Sequence, residues 1–464
     1  MRPSRAQLDD CARALASVLA PSQLRADPDA LADYGRDESD LGTTPADLVV
    51  LPQSTAEVSQ VLRIARSHRV PVTPCGARSG KSGGSMPVDG GLVLSVERMR
   101  AIKRISVEDL TATAEPGVIT GDLMKAAEAV GLFYPPDPNS WEWCTLGGNV
   151  AENAGGPRAL KYGVTKDYVL GLEWVLPDGE VLRVGRQTIK GVAGYDLVGL
   201  FVGSEGTLGI ATEITVQLLP LPRVVQTALL IFPDVQAAAR AVTAILAGGI
   251  LPRTLELLDD VSIRAVDGRG FNFPPGTGAA VIAEVDGREP EAVFAELAQL
   301  GEIAAAQGAT ETLLAQGEEQ RERLWAARRT LSVALRALKA HKLSEDIAVP
   351  RSRIPETIER LKALGAELGL TVATYGHAGD GNLHANILFD SAEQRPLVDR
   401  ALHRLAELAV GMGGTITGEH GVGLAKRDLL PLEQSPGVLA LQRRLKALLD
   451  PEGLLNPGKM FKEQ

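Results

Sequence analysis

A chain of 464 residues is too long for one hydrophobic core and implies two or three domains. Its 45% hydrophobic and 23% charged residues, without a repetitive tract, exclude a disordered or fibrous protein and fit a compact soluble enzyme. The net charge of −10 argues against nucleic acid as the main partner, because neutralising phosphates requires a basic surface.

The segment from Met1 to Leu19 reads as an amphipathic helix with Leu8, Ala12, Leu15 and Leu19 on one face. Asp9 and Asp10 break any continuous apolar core, so it does not read as a signal peptide. No stretch approaches the roughly 18 apolar residues that span a bilayer. Cys11, Cys75 and Cys144 are too few and too scattered for a disulfide framework or a thiolate metal site. A reducing, cytoplasmic location is expected, with membrane association only through partner subunits.

Residues 48 to 95 predict strand, helix, strand, glycine loop, strand. Leu48 to Leu51 is an apolar strand, and Ser54 and Glu57 have the spacing of a capping box that opens a helix ending at His68. There His68 suits a charge-stabilising role at a helix C-terminus. Val70 to Val72 leads into the loop Pro74 to Ser85, and Gly91 to Ser95 returns as a strand. The loop is close to a Walker A motif, but Cys75 stands where its first glycine belongs and a strand, not a helix, follows. It remains suited to a pyrophosphate, since glycines let several backbone N–H groups point inward. A second glycine cluster, Cys144 to Gly156, follows Tyr134 to Ser140; its small residues permit close approach to a flat ligand. Val169 to Val184 predicts a hairpin turning at Asp178-Gly179. Phe201 to Ile210 is a third glycine cluster, closed by a strand over 211–219. G-x-G-x-x-G occurs nowhere, so a Rossmann site is not indicated.

After Pro220 the pattern changes to strand 225–232, helix 234–247, strands 254–258 and 277–284, and helix 289–307. This alternation predicts an α+β domain with an antiparallel sheet. Helices are expected over 318–340, carrying Arg328 and Arg329, and over 354–368, 396–410 and 436–449. His341 and His403 fall on polar helix faces.

Between residues 372 and 389 lies a hairpin holding two of the chain's 6 histidines, His377 and His384, about Asp380-Gly381. With Asp-Gly as a two-residue turn, 377 pairs with 384 and the two Cβ atoms stand about 5 Å apart on one face. Tyr375 and Asn386 share that face. Two imidazoles so placed can share a divalent ion, and Glu419 and His420, in the glycine-rich stretch 418–423, offer a carboxylate and a third imidazole. The alternative is a solvated or structural histidine pair.

The stretches Pro74 to Ser85, Cys144 to Gly156, Ala159 to Gly163, Gly194 to Asp196, Gly203 to Gly209, His377 to His384, Gly418 to Gly423 and Leu455 to Lys459 occur in this order. Together they resemble the FAD-linked oxidases with a vanillyl-alcohol-oxidase/p-cresol-methylhydroxylase (PCMH)-type flavin domain. The similarity is to the D-2-hydroxyacid dehydrogenase branch: D-lactate dehydrogenase, D-2-hydroxyglutarate dehydrogenase and the glycolate oxidase D subunit. It spans roughly residues 30 to 461. The resemblance implies an FAD-binding domain over 1–220, an α+β cap (substrate) domain with an antiparallel sheet over 221–410, and a C-terminal segment over 411–464 that returns to the flavin. It implies that Pro74, Cys75, Gly76, Ala77, Arg78, Ser79, Gly80 and Ser82 wrap the FAD pyrophosphate. Pro138, Thr145, Gly147, Gly148, Asn149, Ala154, Gly206, Ile210 and Asn456 are implied as further FAD contacts. Non-covalent FAD is expected, because the only histidine of the flavin domain is His68. Arg78 departs from the small residue common in that loop.

The same resemblance implies His377, His384 and Glu419 as ligands of a divalent metal, zinc or manganese, with Asn386 and His420 beside the substrate. The implied reaction takes a D-2-hydroxyacid (D-lactate, D-2-hydroxyglutarate) or glycolate to the 2-oxoacid, with hydride passing to flavin N5. A metal on the hydroxyl and carboxylate oxygens lowers the alcohol pKa, and imidazole, titrating near neutrality, suits His420 as base. Arg328 is the candidate carboxylate clamp, and Ser332, at i+4, faces the same side. Electrons then pass to electron-transferring flavoprotein, a quinone or an iron–sulfur subunit, and a homodimer is compatible with the chain. Two other readings compete. A metal-dependent hydrolase would use the His/His/Glu site but leaves three glycine clusters unexplained, and a flavin-binding electron-transfer subunit would not need that site.

Overall fold

The computed structural model describes residues 2–268 and 272–462. The chain divides into two compact units. One comprises Met1–Gly155, Val164–Leu221 and Glu419–Gln464, the other Gly156–Gly163 and Pro222–Gly418.

The first unit contains a four-stranded sheet in the order Leu24–Arg25, Leu48–Val50, Leu92–Ser95, Val72–Cys75, whose last three strands are parallel. Parallel strands are buried on both faces, which explains why Leu48 to Val50 and Leu92 to Leu94 are continuously apolar. The helix Thr55–Ser67 packs Val58, Val61, Leu62 and Ala65 against them. Ser54 Oγ accepts from Glu57 N–H as expected, but the Glu57 carboxylate accepts from Gln53 N–H and Gln23, so the capping box is not reciprocal. The N-terminal helix runs Arg5–Ala16, shorter than predicted, and buries Cys11 and Leu15; Met1 lies outside the described residues. A five-stranded antiparallel sheet follows in the order Ile102–Ser106, Thr111–Ala114, Ile210–Gln217, Val169–Val175, Val181–Gly185.

The second unit is built on a seven-stranded antiparallel sheet. Its order is Glu311–Leu314, Val224–Phe232, Ala279–Gly287, Thr254–Asp259, Thr371–His377, Asn382–Phe389, His341–Ala348. Alternate residues of its strands enter two cores. Leu230, Leu257, Val281, Leu383 and Ala385 meet the helices Val235–Ala247, Pro290–Ala306 and Ile354–Leu368. On the opposite face Leu229, Leu258, Ile282, Ala373 and Leu388 meet the helices Asp260–Val266 and Glu318–Leu335. Two predicted elements are corrected. The helix expected over 318–340 stops at Leu335, and residues His341–Ala348 form the edge strand of the sheet. His341 therefore lies on a strand, its ring 5.1 Å from that of Phe389, and not on a helix face. Within the second glycine cluster Leu146–Glu152 is helical, capped by Thr145 Oγ1.

Candidate functional site

Four segments of the first unit converge around the loop that follows Val72–Cys75. A Cβ on Gly76 would lie 2.4 Å from Thr145 Oγ1, so only glycine lets the loop come this close to the second glycine cluster. Gly206 adopts φ +66°, and a Cβ there would lie 3.2 Å from Pro74 and 3.6 Å from Asn456 Nδ2. Asn456 Nδ2 donates to Gly84 O at 3.0 Å and to Glu205 O at 2.8 Å, and Leu455 bridges to Val72 as in a parallel strand. The C-terminal segment thus returns to the glycine loops.

The remaining implied flavin contacts occupy this neighbourhood in different ways. Arg78 adopts φ +62°, the left-handed conformation that favours glycine, and is held by Asp33 at 3.0 Å and by stacking 4.3 Å over Tyr34. Gly80 O accepts from Glu38 N–H at 2.9 Å. Asn149 Nδ2 donates to Thr120 Oγ1, and Ala154 N–H donates to Asn149 O. Ile210 is buried at the start of its strand, and Pro138 opens the turn leading to Thr145. Ala77 and Ser79 lie on the loop, and Gly147 and Gly148 on the first turn of the helix Leu146–Glu152. Ser82 Oγ is buried without a hydrogen-bond partner. A cradle of glycine backbone with an unsatisfied hydroxyl fits a phosphate-bearing cofactor, and FAD suits these residues. The thiol of Cys75 is pushed up to about 12 by burial and is not a nucleophile.

Two carboxylates not foreseen from the sequence support the cradle. Glu205, at φ +51°, accepts from Val422 N–H at 2.8 Å and Gly423 N–H at 2.6 Å and so shapes the stretch containing Glu419 and His420. Burial, and then neighbouring Glu205, push the Glu152 carboxyl well above its ordinary range, and its Oε2 has no hydrogen-bond partner.

In the second unit, one face of the central strands carries polar residues where apolar ones would be expected. Glu256 stands opposite His377, Tyr375 opposite His384, and Asp346 opposite His384 on its other side. All five are buried. The hairpin register differs from the sequence expectation. The loop is four residues, 378–381, and His377 pairs with Asn382, so the histidines are diagonal rather than direct neighbours. Their rings still share a face, with centroids 5.2 Å apart.

Burial at this depth demands partners, and each group has them. His377 Nδ1 lies 2.5 Å from Glu256 Oε1. Arg328 places Nε and Nη2 each 2.7 Å from Glu256 Oε2, while Arg329 turns outward to Glu322. The guanidinium that the sequence suggested as a substrate clamp therefore already holds a protein carboxylate. Burial alone would raise Glu256, but His377 and Arg328, which both hold its oxygens, outweigh it and keep the carboxyl at about 2. Lys342, also unforeseen, donates to Ser332 Oγ at 2.7 Å and Asn386 Oδ1 at 3.3 Å, joining two predicted residues. Asp346 accepts from Gly418 N–H at 2.6 Å and from Thr417 Oγ1, fixing the backbone that leads directly to Glu419. His377, His384 and Glu419 offer two imidazole nitrogens and one carboxylate oxygen. With His377 Nδ1 turned to Glu256, its Nε2 is the ligand atom, and this two-nitrogen, one-oxygen set fits a divalent ion such as zinc or manganese. His420 Nε2 lies 3.8 Å from Glu419 Oε1. His403 is exposed on its helix, as predicted. No helix among the described residues is long and apolar enough to cross a membrane.

Among solved structures, p-cresol methylhydroxylase with substrate bound superposes with a TM-score of 0.83 at 17% identity, covering 99% of this chain and 98% of that one. Alkyldihydroxyacetonephosphate synthase gives 0.78 at 20% identity, covering 99% and 87%. These likenesses establish a PCMH-type fold. Glycolate oxidase subunit GlcD of Bacillus subtilis (strain 168) is 43% identical over 431 residues, 92% of each chain. D-lactate dehydrogenase of Anaerostipes hadrus is 34% identical over 453 residues, 95% of each. The FAD binding domain model matches residues 46–185, and the model for FAD linked oxidases, C-terminal domain, matches residues 221–460. The chain therefore belongs to the FAD-linked oxidases and is an FAD-dependent dehydrogenase.

Proposed function

We propose that the protein oxidises a small D-2-hydroxyacid (D-lactate or D-2-hydroxyglutarate) or glycolate to the 2-oxoacid. FAD would be held non-covalently by the glycine loops of the first unit, and a divalent ion by His377, His384 and Glu419. The observation that carries this reading is the buried polar face formed by Glu256, His377, His384, Asn386, Arg328 and Lys342. Burying that many polar and charged groups costs stability, and a binding task for an anion and a cation accounts for retaining them.

Bound FAD supplies a two-electron acceptor for the hydrogen leaving the α-carbon, and a divalent ion supplies Lewis acidity toward the hydroxyl oxygen. The chain's own groups do the rest. Lys342, oriented by Ser332 and Asn386, suits a substrate carboxylate, and Arg328, which spends Nε and Nη2 on Glu256, has only Nη1 left to add to it. His420 is suited to take the hydroxyl proton, and the neighbouring Glu419 carboxylate favours the imidazolium that results. Electrons would leave to an acceptor other than NAD, such as electron-transferring flavoprotein, a quinone or an iron–sulfur subunit.

The test is an absorbance spectrum of the purified protein before and after anaerobic D-lactate, D-2-hydroxyglutarate or glycolate, repeated after demonstrated metal removal. Bleaching of the flavin that is lost with the metal and restored with zinc or manganese supports the whole reading. Equal bleaching without metal reduces the hairpin to a scaffold, and no bleaching by any 2-hydroxyacid refutes the substrate class.

A further inference from the structure

We infer that Glu256 is a positioning residue that ties the metal-binding imidazoles to the Arg328 guanidinium, so that cation affinity and anion affinity depend on one carboxylate. The inference rests on the function proposed above. Glu256 sits in the middle of the Thr254–Asp259 strand, directly opposite His377, and is fully buried. Its two oxygens have different tasks. Oε1 meets His377 Nδ1 at 2.5 Å, which places the ring proton there and presents the Nε2 lone pair. Oε2 takes both Arg328 donors at 2.7 Å. Arg328 in turn lies 4.6 Å over the Tyr375 ring, and Tyr375 packs its ring 5.3 Å from that of His384. The contacts therefore close a circuit, His377 to Glu256 to Arg328 to Tyr375 to His384, in which both imidazoles are oriented through the same carboxylate and its guanidinium.

A glutamine at this position has the same shape but one acceptor and one donor end. With its oxygen toward Arg328, its amide NH2 faces His377 Nδ1. The imidazole proton must then move to Nε2, where it blocks the ligand atom. With its oxygen toward His377, its NH2 faces the guanidinium and Arg328 is released. Either orientation breaks one half of the coupling, and the half that breaks shows in a different measurement.

The experiment compares the parent FAD-loaded protein with Glu256→Gln. Zinc affinity is measured by competition with a chromogenic chelator, KM and kcat are measured for the reducing 2-hydroxyacid, and flavin content and circular dichroism report on the fold. The expected result is zinc affinity weaker by about 10- to 100-fold at unchanged flavin content, or, in the other orientation, KM raised at least as far with kcat less affected. Zinc affinity and KM both within twofold of the parent overturn the inference and leave the functional reading standing. A parent protein that takes up no zinc or manganese overturns both together. If Glu256→Gln does not fold, Glu256→Asp, which keeps the charge but is one methylene too short to reach both partners, is measured the same way. Parental values in that variant overturn the inference equally.

Discussion

Loss of the Asn456 side chain should loosen the first unit for a small change in volume. It is 2% exposed, and its Nδ2 is the donor shared by two buried carbonyls, Gly84 O at 3.0 Å and Glu205 O at 2.8 Å. Its own N–H donates to Val72 O at 2.7 Å, and its Oδ1 accepts from Lys459. It adopts φ +45°, a left-handed conformation that asparagine tolerates better than alanine does. Asn456→Ala strands two carbonyls, each at about 1–3 kcal/mol, and adds about 1 kcal/mol for the left-handed alanine. The lower bound is therefore about 3 kcal/mol against closure of the tail, which raises its opening equilibrium by about 150-fold at 1.36 kcal/mol per decade. Hydrogen exchange of the amides over 453–461 should show this loss of protection, since local opening governs their exchange. Asn456→Gly removes the same hydrogen bonds without the φ cost, so it should recover roughly 1 kcal/mol and fall between parent and alanine. The reasoning is refuted by protection within threefold of the parent in Asn456→Ala, or by glycine being less protected than alanine.

Three further outcomes are expected. Glu152→Gln should raise the thermal midpoint at neutral pH and lose that advantage near pH 4.5. The parent carboxyl titrates above its ordinary 4.5, so the folded state holds a proton that the unfolded chain releases, and stability falls as pH rises through that window; thermal melts from pH 4 to 8 check the sign. His384→Ala should retain FAD by absorbance yet lose tight zinc or manganese binding and most turnover, and full metal binding in that variant would remove the hairpin from the site. Gly209→Ala places a methyl 2.0 Å from Trp174 Nε1, so the indole stacked on Phe201 must move. It should destabilise by about 1–3 kcal/mol and shift the tryptophan fluorescence, whereas an unaltered melt and spectrum would contradict the close approach.

What could be read in the sequence was whatever left a local signature. The glycine clusters were visible because Gly76 and Gly206 occupy places where a Cβ or an ordinary φ would not serve, and the cap-domain strands because alternating residues feed two cores. The missed elements lacked such marks. The helix Thr120–Glu128 starts after Ile119, which provides no side-chain cap. The His341–Ala348 strand has no clean apolar alternation, because its inward face is the one carrying Lys342 and Asp346 toward Asn386 and His384. Functional residues erased the pattern by which the strand would have been recognised. Glu256 had a fainter mark: a lone acid inside the apolar run Thr254-Leu255-Glu256-Leu257-Leu258 implies a buried partner, but nothing local indicates that the partners lie 72 and 121 residues further along the chain.

The histidine pair shows which error a sequence argument can absorb. The expected two-residue turn put 377 opposite 384, whereas the observed four-residue loop puts 375 opposite 384, a slip of two. Side chains alternate with period two, so a slip of two leaves every residue on its face and a slip of one would have separated the imidazoles across the sheet. The longer loop has its own cause. Gly381, at φ +93°, passes so close to Val349 that a Cβ would lie 2.1 Å from its carbonyl, and Asp380 and Gly381 both turn their N–H groups back to His377 O at 3.2 Å. Asp380 Oδ1 then accepts from Asn382 N–H and starts the return strand. The diagonal placement has a consequence for the site. Tyr375, not His377, is the direct neighbour of His384, so the residue across the ladder from one imidazole is the ring on which Arg328 stacks. The carboxylate across from the other imidazole is the one that Arg328 holds. A direct His377–His384 pair would have left the guanidinium bearing on only one of them.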